Sequence, residues 1–413
     1  MNTETHSDTP INRNPLSIVE FVVMMAVLMS CVAMSTDAML PAFGLMRQDL
    51  QVAEEAQMQY VVMVLMGGMA LGQMIFGPLS DHFGRKGMVY VGVGVYIAGT
   101  VICGLSQTLE PMLIGRLIQG IGIASPRVVS VAMVRDIYHG RQMAKVNSLI
   151  SAIFILVPML APSFGQLITQ SFGWRSIFWM LMAFAAFGAL WMGIRQPETL
   201  PIERRVRLNW AALWAGTVET LSHKSASAYI LAQGFVFAPF VAYLGNAQSL
   251  FVGIYGEGER FPMWFALLSI FVGLAFIANA KWVVRLGMRA ISTYAAAAIL
   301  LLGAATYLWT MLSGDLGFTA MMIWLAGTFF CVGLLFGNVI ALSMEPLGHI
   351  AGIASAINSS VSSLIALPIG AWVGMAMHED LAYFPLSFAL CGLGMLLLIL
   401  RGNQHYVEAE DPA

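Results

Sequence analysis

The chain has 413 residues, of which 59% are hydrophobic and 10% charged, with a formal net charge of -2. Ordinary soluble domains carry about 25% charged residues, so a water-soluble fold is excluded, and the lack of a basic surplus argues against a nucleic-acid partner. Cys31, Cys103, Cys331 and Cys391 lie scattered inside apolar runs, without the spacing of a zinc site or redox pair, and read as small buried residues.

In chain order, residues 1–16 are polar and carry Pro10 and Pro15, which fits a cytoplasmic tail. The apolar run that follows, to Leu40, is too long for a signal segment and is expected to be the first span. Further spans are expected at about 57–79, 88–106, 110–132, 144–169 and 174–194, then 227–250, 262–283, 290–312, 318–343, 352–376 and 382–400. The longest polar interruption, 195–226, divides them six and six. The expected architecture is therefore an all-α integral membrane protein of twelve transmembrane helices. It comprises a six-helix bundle over 17–194, a cytoplasmic linker over 195–226, a second bundle over 227–400 and a cytoplasmic tail over 401–413.

Lys and Arg concentrate after spans two, four, six and eight: Arg85 and Lys86; Arg135, Arg141 and Lys145; the linker cluster with Arg204, Arg205 and Arg207; and Lys281, Arg285 and Arg289. The opposite loops offer Arg47, Arg175 and Arg260. The positive-inside bias then puts both termini in the cytoplasm. Within the linker, Trp210, Leu213, Trp214, Val218 and Leu221 recur at helical spacing opposite Asn209, Glu219 and Ser222, the pattern of a helix lying on the inner membrane surface. A faint repeat relates Asp81-His82-Phe83-Gly84-Arg85-Lys86 to Val284-Arg285-Leu286-Gly287-Met288-Arg289, as if the two halves shared an origin.

Few polar groups are sunk in the spans, and each needs a reason. Span four carries Gly115-Arg116-Leu117-Ile118-Gln119-Gly120. A fixed charge in a span costs roughly 2.5–3.5 kcal/mol even on lenient insertion scales, so Arg116 is expected to meet a cavity, a carboxylate or backbone carbonyls. Arg127 lies further along the same helix and either lines a pathway or snorkels. Asp37, in Ser35-Thr36-Asp37-Ala38-Met39-Leu40-Pro41, sits at a depth similar to Arg116, and the two are expected to meet across the bundle. A rearrangement that moved them relative to one another would switch the proton occupancy of Asp37. With Gln119, Asn338 and Asn358 are candidates for the substrate pathway, although such residues also bond neighbouring helices. Glu345 and His349 flank Pro346 and Gly348 and read as an exposed turn rather than a metal site. No phosphate-cradling glycine loop occurs, so ATP, metals and other cofactors are not expected, nor is an enzyme.

The segment Gly77-Pro78-Leu79-Ser80-Asp81-His82-Phe83-Gly84-Arg85-Lys86 resembles motif A of the major facilitator superfamily, and Gly115–Gly120 resembles its motif B. The resemblance implies that Gly77 and Gly84 shape a turn, that Asp81 caps a helix of the other half, and that Arg85 meets the acid ending span four, here Asp136. Such charge pairs would latch the inner face only when the site opens outward. The segment Val157-Pro158-Met159-Leu160-Ala161-Pro162-Ser163-Phe164-Gly165-Gln166 looks like a relaxed antiporter motif C. There Pro158, Pro162 and Gly165 would let helices of the two halves pack closely, with Ala161 and Gln166 standing where glycines are expected. Together with Val134-Arg135-Asp136-Ile137-Tyr138 and the run from Glu345 to Ser355, the chain resembles Bcr/CflA-type, bicyclomycin-resistance-like drug:proton antiporters. Met39 stands where many of those have an aromatic residue.

That resemblance implies proton-coupled export of small apolar or amphiphilic compounds by alternating access, from a monomer in the cytoplasmic (inner) membrane. Its partners would be a small-molecule substrate, protons and the lipid bilayer. The alternative is a proton-linked importer or facilitator of a specific metabolite.

Overall fold

The structure, a computed structural model, describes residues 16–138, 140–205 and 210–410. Most of the expected N-terminal tail, linker residues Arg207 and Asn209, and the side chains of Arg141, Lys145 and Trp210 lie outside the described residues.

The described backbone is helices joined by short turns. Ser17 opens α1 (Ile18–Asp37) by accepting the Glu20 amide at 3.2 Å, a serine N-cap. The helix stops at Asp37, passes through a tight turn with Pro41 (Leu40–Ala42) and resumes as the short α2 (Phe43–Asp49). Then follow α3 (Gln59–Phe83), α4 (Arg85–Leu105), α5 (Leu109–Ile137), α6 (Gly140–Phe172) and α7 (Arg175–Arg195). The linker helix α8 (Trp210–Ser222) leads to α9 (Lys224–Gln248), α10 (Phe261–Ser313), α11 (Phe318–Met344), α12 (Ala351–Glu379) and α13 (Tyr383–Glu410).

Ten stretches among the described residues are long and apolar enough to cross a membrane. One of them, α10, runs 53 residues and turns at Gly287, so it supplies two crossings, and the 33-residue α6 completes twelve. Outward faces carry apolar residues such as Val284, Leu312 and Phe172, which are 84%, 87% and 78% exposed. In water that would be untenable; in a bilayer it is the required surface.

The helices run past the apolar core that the sequence suggests. The expected span ends at 79 and 132 become Phe83 and Ile137, so Asp81 and Asp136 stand on helical ends rather than in loops. Pro78 lies inside α3 and does not end it. The reversal is made by Gly84 alone, at φ 101° and ψ 156°, a conformation that a β-carbon disfavours. Gly287 makes the matching turn at φ 78° and ψ 157°. The repeat detected in sequence is therefore a repeat of backbone geometry.

Within the first half, α3 and α4 pack on α5, and α1 packs on α6 and α7; in the second, α9 packs on α12 and α13, and α10 on α11. The halves meet where α3 packs on α12 and α9, and α6 on α10. We call the ends bearing Gly84 and Gly287 the basic end, and the opposite one the far end.

Candidate functional site

At the basic end a compact charge cluster forms around Arg85, which is only 2% exposed. Its guanidinium pairs with Asp136 (Nε to Oδ2, 2.9 Å) and with Asp81, one helical turn back (Nη1 to Oδ1, 2.6 Å), and donates to Ser80 Oγ at 2.8 Å. The expected Arg85–Asp136 contact is present. Asp81 turns to Arg85 rather than capping a helix of the other half, and all these pairs lie within the first half. In this conformation, in which the halves meet toward the far end, they do not join the two halves.

A residue the sequence reading passed over organises this cluster. Glu198, just beyond α7, accepts the backbone amides of Arg85 (2.9 Å), Lys86 (3.1 Å), Thr199 (3.0 Å) and Leu200 (3.1 Å). The first two are orphan donors at the start of α4, where a carboxylate also complements the helix dipole. Thr199 Oγ1 donates to Asp136 at 3.1 Å, and Lys86 Nζ to the Gly193 carbonyl at 2.6 Å, closing the brace. Pro197-Glu198-Thr199 directly after span six was the available signal, but nothing in the spacing said that it would reach the amides after Gly84.

Among the described residues Arg116 is the largest fully buried side chain, at 0% exposure. Its guanidinium donates to Gln119 Oε1 (2.5 Å), to the Ser35 carbonyl (3.0 Å) and to the Met39 sulfur, with the Phe178 ring 5.6 Å away. Gln119 passes the chain on to Thr100 Oγ1 at 2.8 Å, and Ser35 Oγ meets the Tyr96 hydroxyl at 2.6 Å. This polar network joins α1, α4 and α5 inside the first half. Gln119, expected along the pathway, is instead fully buried within it.

Asp37 and Arg116 do not pair. At about 100° per helical residue, Ser35 and Met39 share one face of α1, while Asp37 points about 200° away from Ser35. Ser35 and Met39 take the guanidinium, and Asp37 is left 2% exposed, with Oδ1 lacking any hydrogen-bond partner. The carboxyl thus lies buried and unpaired where α1 unwinds.

The remaining candidates divide. Asn338 is buried and exchanges amide bonds with Asn279 (2.7 and 3.3 Å), tying α11 to α10 instead of lining a passage. Asn358 is buried and accepts from Ser362 on its own helix at 3.4 Å. Arg127 is half-buried with Nη1 3.6 Å from the Met69 sulfur. Pro158 and Pro162 lie inside the unbroken α6. A β-carbon on Gly165 would fall 1.6 Å from the Ala38 carbonyl, so this glycine packs α6 onto α1 of its own half, and not onto the other half as expected. Glu345 and His349 bond Arg289 (2.7 Å) and Glu219 (2.6 Å), separately.

Contacts between the halves run from mid-depth to the far end. Ser360 Oγ donates to the Ala70 carbonyl at 2.9 Å, and Leu367 lies against Gly67. At the far end the Gln59 amide enters a notch between α9 and α12, 3.5 Å from both the Ala371 carbonyl and Asn246 Nδ2. A β-carbon on Gly374 would stand 1.9 Å from Gln59 Oε1. Beyond the notch, a cavity of about 540 Å³ lies between Gly44 and Gln48 of the first half and Gln248 of the second.

The sequence profile described as Major Facilitator Superfamily matches residues 25–371. A bicyclomycin resistance protein homolog of Haemophilus influenzae is 28% identical over 377 residues, covering 90% of this chain and 93% of that one. The multidrug resistance protein MdtL of Escherichia coli is 38% identical over 129 residues, 31% of this chain and 33% of its own. The solved proton:xylose symporter XylE superposes with a TM-score of 0.69 at 15% identity, covering 93% of this chain and 94% of that one, a likeness of fold.

Proposed function

Because the chain belongs to the Major Facilitator Superfamily and is a multi-pass membrane transporter, not an enzyme, we propose that it exports small apolar or amphiphilic compounds in exchange for protons. The bundles 17–194 and 227–400 rock about a central site in a cytoplasmic membrane, with the basic end and both termini inside. The names of its relatives, bicyclomycin and multidrug resistance proteins, support efflux over uptake.

One observation carries the coupling: Asp37 is a buried carboxyl with an unpartnered oxygen, while the intramembrane Arg116 is engaged with Gln119 and Ser35 instead. Such a carboxyl can gain or lose a proton without breaking an ion pair, and its cost in either state depends on how far the halves expose it. Arg116 supplies the fixed positive field. The Arg85, Asp81, Asp136 and Glu198 cluster acts as a brace that keeps α3, α4 and α5 moving as one body, and Gln59 with Asn246 forms the far gate. Arg127, half-buried at the α3–α5 contact, lies along the inner part of the passage.

The driving force suffices. A membrane potential near 100 mV gives about 2.3 kcal/mol per inward charge, and each unit of pH difference adds about 1.4 kcal/mol. One proton per neutral molecule would sustain a gradient of several hundredfold. The test is dye export by the purified chain in proteoliposomes under an imposed pH gradient. Export that collapses with an uncoupler and in Asp37→Asn is expected; full proton-driven export by Asp37→Asn, or dye moving with the proton, refutes the reading.

A further inference from the structure

The spans hold charge sparingly. Among the described residues, the charged ones that lie more than about two helical turns from an end or turn of their span are Asp37, Arg116 and Arg127. Two guanidiniums against one carboxyl leave the interior net positive whether or not Asp37 carries a proton, because arginine stays charged. The described spans of the second half hold no acid at that depth to offset it. The two arginines share a face of α5: eleven residues apart, they differ by about 20° around the helix and by about 16 Å along it. They are used differently. Arg116 is spent on Gln119, Ser35 and Met39. Arg127 has its Nη1 3.6 Å from the Met69 sulfur, a weak acceptor, and pairs with no carboxylate among the described residues.

The depth of Arg127 puts it where the halves part. Val128, the next residue, lies against Gly77 of α3, about 10 Å on the basic side of Ala70 along that helix. Ala70 takes the Ser360 hydroxyl, and the close contacts between the halves run from there to the far end. On the basic side of Ala70 the cleft between the halves opens. Arg127 is half-buried in its wall, beside the Met69 sulfur next to the last contact. A guanidinium without an acid does not face hydrocarbon cheaply, so the part of it left exposed looks into the cleft.

We propose that Arg127 is a specificity-determining residue of the passage: its free donors take the carboxylate of an anionic amphiphile entering from the basic end, accept a neutral carbonyl less tightly, and turn cationic compounds away. This rests on the export reading above and deepens it by naming the charge of the cargo. A planar guanidinium can meet a carboxylate through two parallel hydrogen bonds. Between walls of low dielectric its field is poorly screened, so a like charge is held off. Arg116 cannot take this role, since its donors are committed within the first half.

The test uses the full chain in lipid nanodiscs and fluorescent probes that share one body, a methoxycoumarin bearing a carboxymethyl, a carbamoylmethyl or an aminoethyl group. At neutral pH these are an anion, a neutral amide and a cation. Affinity should fall in that order, with the carboxylate bound at least about tenfold tighter than the ammonium, the effect of one charge-assisted bond. Arg127→Gln should erase that difference. Arg127→Lys keeps the charge without the fork, and should still turn the ammonium away while weakening the carboxylate. Equal affinity for all the probes in the wild-type chain, or the wild-type order in Arg127→Gln, overturns the proposal. If Arg127→Gln yields no monodisperse protein, Arg127→Lys decides, and an unaltered carboxylate affinity there overturns it. Transport is a separate readout: failure of every probe to move under an imposed pH gradient sinks the export reading, whereas the order of binding judges Arg127 alone.

Discussion

Replacing Gly374 by alanine puts one methyl group into the far gate. The new β-carbon would stand 1.9 Å from Gln59 Oε1, 2.7 Å from Gln59 Cδ and 2.8 Å from Asn246 Nδ2, where ordinary contact begins at 3.4 Å. Gln59 is long and can swing aside, so the helices need not part, but its amide must leave the notch. That abolishes its approaches to the Ala371 carbonyl and Asn246, both at 3.5 Å and so at the weak limit of hydrogen bonding. Taking about 0.5 kcal/mol for each, the low end for such bonds, the closed far end loses about 1 kcal/mol, equivalent to roughly a fivefold shift toward opening. The readout is thiol labelling at Gln248→Cys, which borders the far cavity. The background is low because Cys31, Cys103, Cys331 and Cys391 are all buried. A membrane-impermeant maleimide applied from the far side should react about fivefold faster in Gly374→Ala. An unchanged rate would mean that the notch does not close the passage.

Three further outcomes follow from the site. Arg85→Ala strands Asp136 in a place where the pair is 3% and 12% exposed; losing one partner of such a pair costs about 3–5 kcal/mol, so the melting temperature in detergent falls while Gln248→Cys labelling stays unchanged, and a drop in labelling would restore the latch across the halves. Gly165→Ala drives a β-carbon into the Ala38 carbonyl, backbone against backbone, and should cost more than about 3 kcal/mol by overpacking, read as loss of monodisperse protein on gel filtration; normal yield would refute the close α6–α1 approach. Arg116→Lys keeps a charge but not the three-way fork, so exchange should drop at least about tenfold, the effect of losing one charge-assisted bond, with the drop measured as initial dye flux; wild-type flux would show that only the charge matters.

Twelve crossings and the Arg85–Asp136 contact were legible because each is written in a short stretch: apolar length in one case, a ten-residue motif in the other. What depth along a helix could not supply was the face. Asp37 and Arg116 lie at similar depth, yet Ser35 and Met39 occupy the face of α1 that meets the guanidinium, and counting residues around the helix would have separated them. Glu198 was invisible for a different reason: a glutamate in a polar linker looks solvated until the turn at Gly84 brings two amide donors to it. In sequence Gln119 and Asn338 are pathway candidates because polar groups in spans need partners, and here the partners are other side chains within the same half.

The shared torsion at Gly84 and Gly287 sets apart what drifts from what cannot. The hairpin bend survives in both halves, but Arg85 at the first is matched by Met288 at the second, which packs among apolar neighbours. Two rocking arms thus have one backbone shape and different fastenings: the first is tied by the buried Arg85–Asp136 pair, the second by greasy contact and the more exposed Arg289–Glu345 pair. Ionic strength should therefore loosen the second arm more than the first, because salt screens an exposed pair far more than a buried one.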